Sequence, residues 1–254
     1  MNEGKHSKIR NKKVMIIRII LFIIIIVCVI NIIKWLLENK KNKDLLNDMT
    51  TLVKVANTIN IEETEVEQYT VEFEKLKDKN PDIFAWIKVK GTSIEYPIVQ
   101  AKDNLYYLTH SLDKNYNSAG WIFADYRNKI DGTDKNLVIY GHNRRDGSMF
   151  GTLKDVLKKE WYDTSENQYI TFETEDKTEI YQVFSVYQIK AEDYYIKTDF
   201  NNDKEFEDFI NTIKSRSIKD FKNEVTKADN IITLSTCGND NRYRVVLHAK
   251  KMEI

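Results

Sequence analysis

The chain has 254 residues with 39 Lys+Arg and 39 Asp+Glu, a formal balance that gives no bulk electrostatic reason to expect a nucleic-acid partner. Eight glycines and two prolines exclude collagen-like repeats and low-complexity linkers, and no solenoid-type period is present. The two cysteines, Cys28 and Cys237, lie in unlike surroundings and form neither a disulfide framework nor a zinc-spaced cluster, so no metal site is expected.

Residues 1–13 are basic, with Lys5, Lys8, Arg10, Lys12 and Lys13 against Glu3. Val14–Leu37 follows as an almost wholly apolar run, uncharged from Ile19 to Ile30. As a helix it would extend about 36 Å at roughly 1.5 Å per residue, enough for a bilayer core of about 30 Å. Arg18 and Lys34 sit where long basic side chains reach the interface. The run is long for a signal peptide and lacks a small-residue cleavage site, so 14–37 reads as an uncleaved transmembrane anchor. The basic tail 1–13 favours a cytoplasmic N-terminus, although Lys40, Lys41 and Lys43 on the far side pull the other way. Residues 38–66 carry Leu45, Leu46, Met49, Leu52, Val53, Val55 and Ile59 at mostly helical spacing, which predicts a stalk helix ending near Asn60. A second amphipathic helix is expected over Val66–Asp78, stopped by Asn80-Pro81.

From Ile83 the pattern changes to short strands. Ile83–Val89 and Ile94–Val99 flank the turn Lys90-Gly91-Thr92, and Tyr96-Pro97 suggests an edge or irregular strand. A helical turn is expected over Asp103–Leu108, strands over Gly120–Ala124 and Asn136–Tyr140 with a polar loop 125–135 between them, and a short helix over Met149–Leu157. Tyr169–Glu173 and Glu179–Ile189 read as a hairpin. Asp203–Ser215 places Phe206, Phe209, Ile210 and Ile213 on one helical face. Asn230–Cys237 and Tyr243–Lys251 close the chain as strands. Many short strands with few helices predict a mainly β barrel or sandwich with helical insertions.

The strand ending at Cys237 puts Ile232 and Leu234 on one face and Thr233, Ser235 and Cys237 on the other, with Gly238 free to turn. A lone cysteine is often a small buried hydrophobe. In an exported domain, an unpaired thiol invites a functional reading. A thiol nucleophile needs a base or a positive neighbour. His142 ends an apolar strand at Tyr140-Gly141-His142, as Cys237 does. His110 reads as a solvated loop residue and His248 as a sheet-face residue. Arg242 and Arg244 share a face, and either could donate to a developing oxyanion. As a basic edge, they would instead discourage sheet-to-sheet pairing.

Thr233-Leu234-Ser235-Thr236-Cys237, with Tyr140-Gly141-His142-Asn143 before it and Arg244-Val245-Val246-Leu247-His248-Ala249-Lys250 after it, resembles a sortase of class B. So do Asn80–Ile87, Tyr96–Gln100, Asp103–Leu108 and Gly147–Gly151, in family order over about residues 67–254. The resemblance implies an eight-stranded sortase barrel with N-terminal helices and a helix (203–215) inserted between strands six and seven, on the extracellular face of a Gram-positive membrane. It implies catalysis by Cys237 as nucleophile, His142 as general acid/base and Arg244, in preference to Arg242, at the oxyanion. Asn104, Tyr140, Ser235, Tyr195 and Ile196 match substrate-groove positions, the last two within a covering loop that also holds Tyr194. Gly238 stands where some relatives carry an acid, which leaves that contact unassigned. The implied partners are secreted proteins with a C-terminal sorting signal and a peptidoglycan amine; neither metal nor organic cofactor is implied. The alternatives are a thiol peptidase using the same residues and a non-catalytic surface-binding domain.

Overall fold

The computed structural model describes residues 3–237 and 243–253, with the backbone alone for residues 3–12 and for Cys237. Two compact units divide the chain, Met1–Lys43 and Asp44–Ile254. Residues 3–43 of the first belong to α1 (Glu3–Thr50). Its residues 13–37 are exposed throughout, and among the described residues this is the one helix long and apolar enough to cross a membrane.

The helix expected to run to Asn60 stops at Thr50, and an antiparallel hairpin of β1 (Val53–Ile61) and β2 (Thr64–Val71) takes the place of the rest of the stalk. The second helix is correspondingly short, α2 (Phe73–Lys79). Glu62 and Glu63 make the hairpin turn with positive φ, 48° and 66°, a conformation that glycine or asparagine normally signals. The hairpin is held by the barrel. The Tyr69 amide donates to Glu173 Oε1 at 2.7 Å, and the Thr171 hydroxyl donates to the Glu67 carbonyl at 2.9 Å.

The barrel strands are β3 (Ile83–Val89), β4 (Glu95–Val99), β5 (Phe123–Ala124), β6 (Asn136–His142), β7 (Tyr169–Thr174), β8 (Thr178–Lys190), β9 (Ile231–Cys237) and β10 (Tyr243–Lys251). They close in the order β10-β8-β7-β3-β4-β5-β6-β9. Closure removes free edges and fills the interior with Trp86, Ile98, Trp121, Phe123, Ile139 and Leu234, all essentially inaccessible. Each such side chain contributes roughly 1.5–3 kcal/mol of burial. The irregularity expected at Tyr96-Pro97 is absorbed because β4 meets β5 only at Val99, and the Pro97 carbonyl accepts from the Trp121 indole. Between β7 and the preceding loop lies a four-residue α3 (Lys159–Tyr162). α4 (Asp203–Ser215) is capped by Asn202, whose side chain accepts from the Glu205 amide. It buries Phe206, Phe209, Ile210 and Ile213 against Phe184, Tyr187, Tyr195 and Val246.

His248 sits on a sheet face of β10, as expected, and is fully buried there. The Thr233 hydroxyl gives its hydrogen to Asn136 Oδ1 at 2.7 Å, so at 2.8 Å it accepts from His248 Nδ1–H. Nε2 then accepts from the Tyr187 hydroxyl at 2.9 Å. Burial pushes the imidazole down to about 3, so it stays neutral in the folded protein. The unfolded chain takes up this proton below about pH 6.5. Stability therefore falls as pH drops from there toward the folded value, by about 1.4 kcal/mol per unit. Chemical denaturation at pH 7 and pH 5 should show wild type losing about 2 kcal/mol more than His248→Gln. Equal losses would remove His248 as the cause.

Candidate active site

Parallel pairing of β6 with β9 runs from Asn136↔Ile231 through Tyr140↔Ser235 to His142↔Cys237. Two strands distant in sequence thus end on the same rung. Ile232 and Leu234 pack in the main barrel core while Ile231 packs on the opposite side with the α4 cluster, and a one-residue slip would put Thr233 and Ser235 in the core positions of Ile232 and Leu234. The Thr236 hydroxyl accepts from the Val245 amide at 2.9 Å, tying the start of β10 to the end of β9. Arg244 pairs with Ile189 of β8 on its other side. The side chain of Cys237 lies outside the described residues, as do Gly238 and Arg242.

His142 is half-buried and its Nε2 lies 2.8 Å from the Leu108 carbonyl. A carbonyl only accepts, so Nε2 carries hydrogen and the neutral ring presents Nδ1 as its acceptor. Among the described residues, buried Nδ1 has no hydrogen-bond partner, which leaves it the atom able to take or give a proton. Close approach makes this possible. Gly120 has φ +59°, and a Cβ there would stand 2.4 Å from the Tyr107 carbonyl and 3.0 Å from His142 Cδ2. At Gly141 a Cβ would enter the Phe150 ring at 2.7 Å. His110, expected in solvent, is partly covered and stacks on Tyr106 with centroids 4.1 Å apart.

A cleft of about 760 Å³ opens beside the ends of β6 and β9. Asn104, Tyr140, Tyr195, Ile196, Ser235 and Arg244 all line it, so the structure brings together every predicted groove residue with the predicted arginine. The Tyr195 hydroxyl and Ser235 Oγ are 3.0 Å apart. Tyr194–Ile196 forms a single 3-10 turn after β8.

Two polar residues behind the cleft escaped the sequence reading, which assigned 125–135 to a plain polar loop. Asp125 is fully buried. Burial works against its charge, but hydrogen bonds from Arg127 and from the Tyr140 hydroxyl hold its carboxyl below the usual range. Its Oδ1 accepts from Arg127 Nε at 2.8 Å; Oδ2 accepts from Arg127 Nη2 at 2.7 Å, Tyr140 at 2.8 Å and Asn104 Nδ2 at 3.0 Å. The one local signal was an Asp-x-Arg directly after a strand, which carries no site by itself. No cluster of His, Cys, Asp and Glu able to hold a metal occurs among the described residues.

The family model described as Sortase domain matches residues 87–252. The chain is similar to sortase B of Listeria monocytogenes serovar 1/2a, 39% identical over 221 residues that cover 85% of this chain and 87% of that protein. Its structure is similar to sortase B from B. anthracis in complex with AAEK1, with a TM-score of 0.74 and 33% identity over 86% of this chain and 100% of that one. It is also similar to the Staphylococcus aureus sortase B–substrate complex, with a TM-score of 0.67 and 37% identity over 72% and 85% of the two chains. With a closed eight-stranded barrel and a histidine level with a cysteine at its rim, the chain belongs to the sortase family, and within it to the sortase B cysteine transpeptidases.

Proposed function

We propose that this transpeptidase is anchored by residues 14–37 with residues 1–13 in the cytoplasm and the catalytic domain outside. There it cleaves a secreted protein's C-terminal sorting signal after the threonine and joins the protein to a cell-wall amine. The observation that carries this reading is the β6–β9 register, which pairs His142 with Cys237 beside the cleft. A relative captured as a substrate complex supports a peptide in the cleft here.

In this reading the Cys237 thiolate attacks the threonine carbonyl, and the electron pair moves to the carbonyl oxygen. Arg244 lines the cleft two residues beyond the last β9–β10 pair, Val246↔Ser235, which supports Arg244 as the donor to that oxyanion. Protonated His142 gives the Nδ1 proton to the leaving amine as the C–N bond breaks, and a thioester remains on Cys237. The incoming amine adds to the thioester carbonyl, neutral His142 takes its proton, and the thiolate leaves. The Leu108 carbonyl holds the ring orientation through both proton transfers. Asn104, Tyr140, Tyr195, Ile196 and Ser235 form the peptide groove. The scheme runs on a thiol, an imidazole and a guanidinium, and calls on neither metal nor organic cofactor.

The full chain in detergent, incubated with a library of sorting peptides and a peptidoglycan-type amine, should yield peptide joined to amine at the threonine, read by mass. Exclusive hydrolysis at saturating amine would make it a thiol peptidase instead.

A further inference from the structure

The 194–196 turn is tied down from outside the cleft as well as from within it. Arg127 Nη2 donates to the Ile196 carbonyl at 2.9 Å, and Asn136 Nδ2 donates to the Lys197 carbonyl at 2.8 Å. The guanidinium that reaches Ile196 is the one Asp125 grips with both oxygens. Asp125 Oδ2 also receives Tyr140 and Asn104, and Asn104 Oδ1 accepts from the Tyr126 amide at 3.0 Å. A single buried carboxylate therefore orients two side chains of the cleft and, through one arginine, a main-chain carbonyl of a third. The planar fork makes this possible, because Nη2 has two hydrogens and can serve Asp125 and Ile196 at once. A lysine offers a single mobile head in place of the fork.

We propose that the Asp125–Arg127 pair is a latch that fixes the spacing between the 194–196 turn and the Asn104/Tyr140 side of the cleft, and so sets how firmly the sorting peptide is held. This rests on the reading that the peptide occupies this cleft. Neither latch residue lines the cleft, so both are positioning residues that act through Ile196, Asn104 and Tyr140. The Asp125 side chain is fully covered, whereas that of Arg127 is 38% exposed. The arginine is thus the part that can release toward water while Asp125 keeps Tyr140 and Asn104 in place. A latch of this kind acts on peptide binding and leaves proton transfer at His142 alone.

The test uses the full chain with a sorting peptide and a cell-wall-type amine. Arg127→Ala should raise KM for the peptide about tenfold, the scale of one charge-assisted hydrogen bond, with kcat within about twofold. Backbone hydrogen exchange at 194–197 should accelerate in the same variant. Arg127→Lys should lie nearer to Arg127→Ala than to wild type, since it lacks the fork. Should Arg127→Ala melt below the assay temperature, Arg127→Lys provides both readouts. An unchanged KM, a loss confined to kcat, or unchanged exchange at 194–197 would overturn the latch. Failure of the underlying functional reading looks different: wild type would then show no peptide turnover, or Cys237→Ala would turn over as wild type does.

Discussion

Cys237→Ala should abolish the thioester formed with a sorting peptide and lower turnover by about 10⁴-fold or more, because no other step can form the covalent intermediate. Intact-mass measurement after mixing with peptide and no amine reads the adduct directly. Wild type should gain the mass of the acyl fragment and the variant nothing. His142→Gln is the informative partner. Its side-chain amide can still donate to the Leu108 carbonyl, which now receives His142 Nε2 at 2.8 Å, but it cannot transfer a proton. A loss of about 10²- to 10⁴-fold is expected, the usual weight of general acid–base catalysis. The double variant should be little worse than Cys237→Ala alone, since residues that act as one unit are not additive. An adduct or undiminished turnover in Cys237→Ala would sink the covalent mechanism, whatever His142→Gln does.

Arg244→Ala should lower kcat by about 10²- to 10³-fold, the weight of one oxyanion donor, with a smaller change in KM. Arg242→Ala should stay within a few-fold of wild type. The contrast follows from position. Arg244 lines the cleft and stands two residues beyond the Val246↔Ser235 rung, and it is the arginine that the family resemblance puts at the oxyanion. Arg244→Lys should recover only part of the loss, because a lysine restores a charge but not the planar fork. Steady-state kinetics on the three variants decides between them. A larger loss in Arg242→Ala would transfer the oxyanion role to that residue.

The hairpin over residues 53–71 is not encoded by local pattern. Val53, Val55 and Ile59 fit helical spacing loosely and fit strand alternation equally well. The residues that would separate the two are at the turn, and there Glu62 and Glu63 adopt positive φ without glycine or asparagine to announce it. The hairpin is chosen by what lies beyond it: Glu173 and Thr171 of β7 receive β2. Local propensity cannot register partners about a hundred residues away. His248 is on the sheet face expected of it, and its burial likewise depends on distant partners. Its sequence position indicates a sheet face, and only the packing of Tyr187 and Thr233 around it makes that face a sealed interior.

By itself the sequence determined the barrel strands from Ile83 onward, the helix Asp203–Ser215, the apolar N-terminal helix, and a thiol and an imidazole each at the end of an apolar strand. Alternation and amphipathic spacing encode these locally, as does a strand's stop at glycine. Tertiary structure alone decided that the two strand ends share a rung, because parallel pairing of β6 with β9 requires the chain to travel around the barrel and return. It alone also brought Asn104, Tyr140, Ile196 and Arg244 to one cleft and joined three of them through Asp125 and Arg127. The physical reason is that hydrogen bonds between residues distant in sequence depend on barrel closure and strand register, and no local pattern of residues records those.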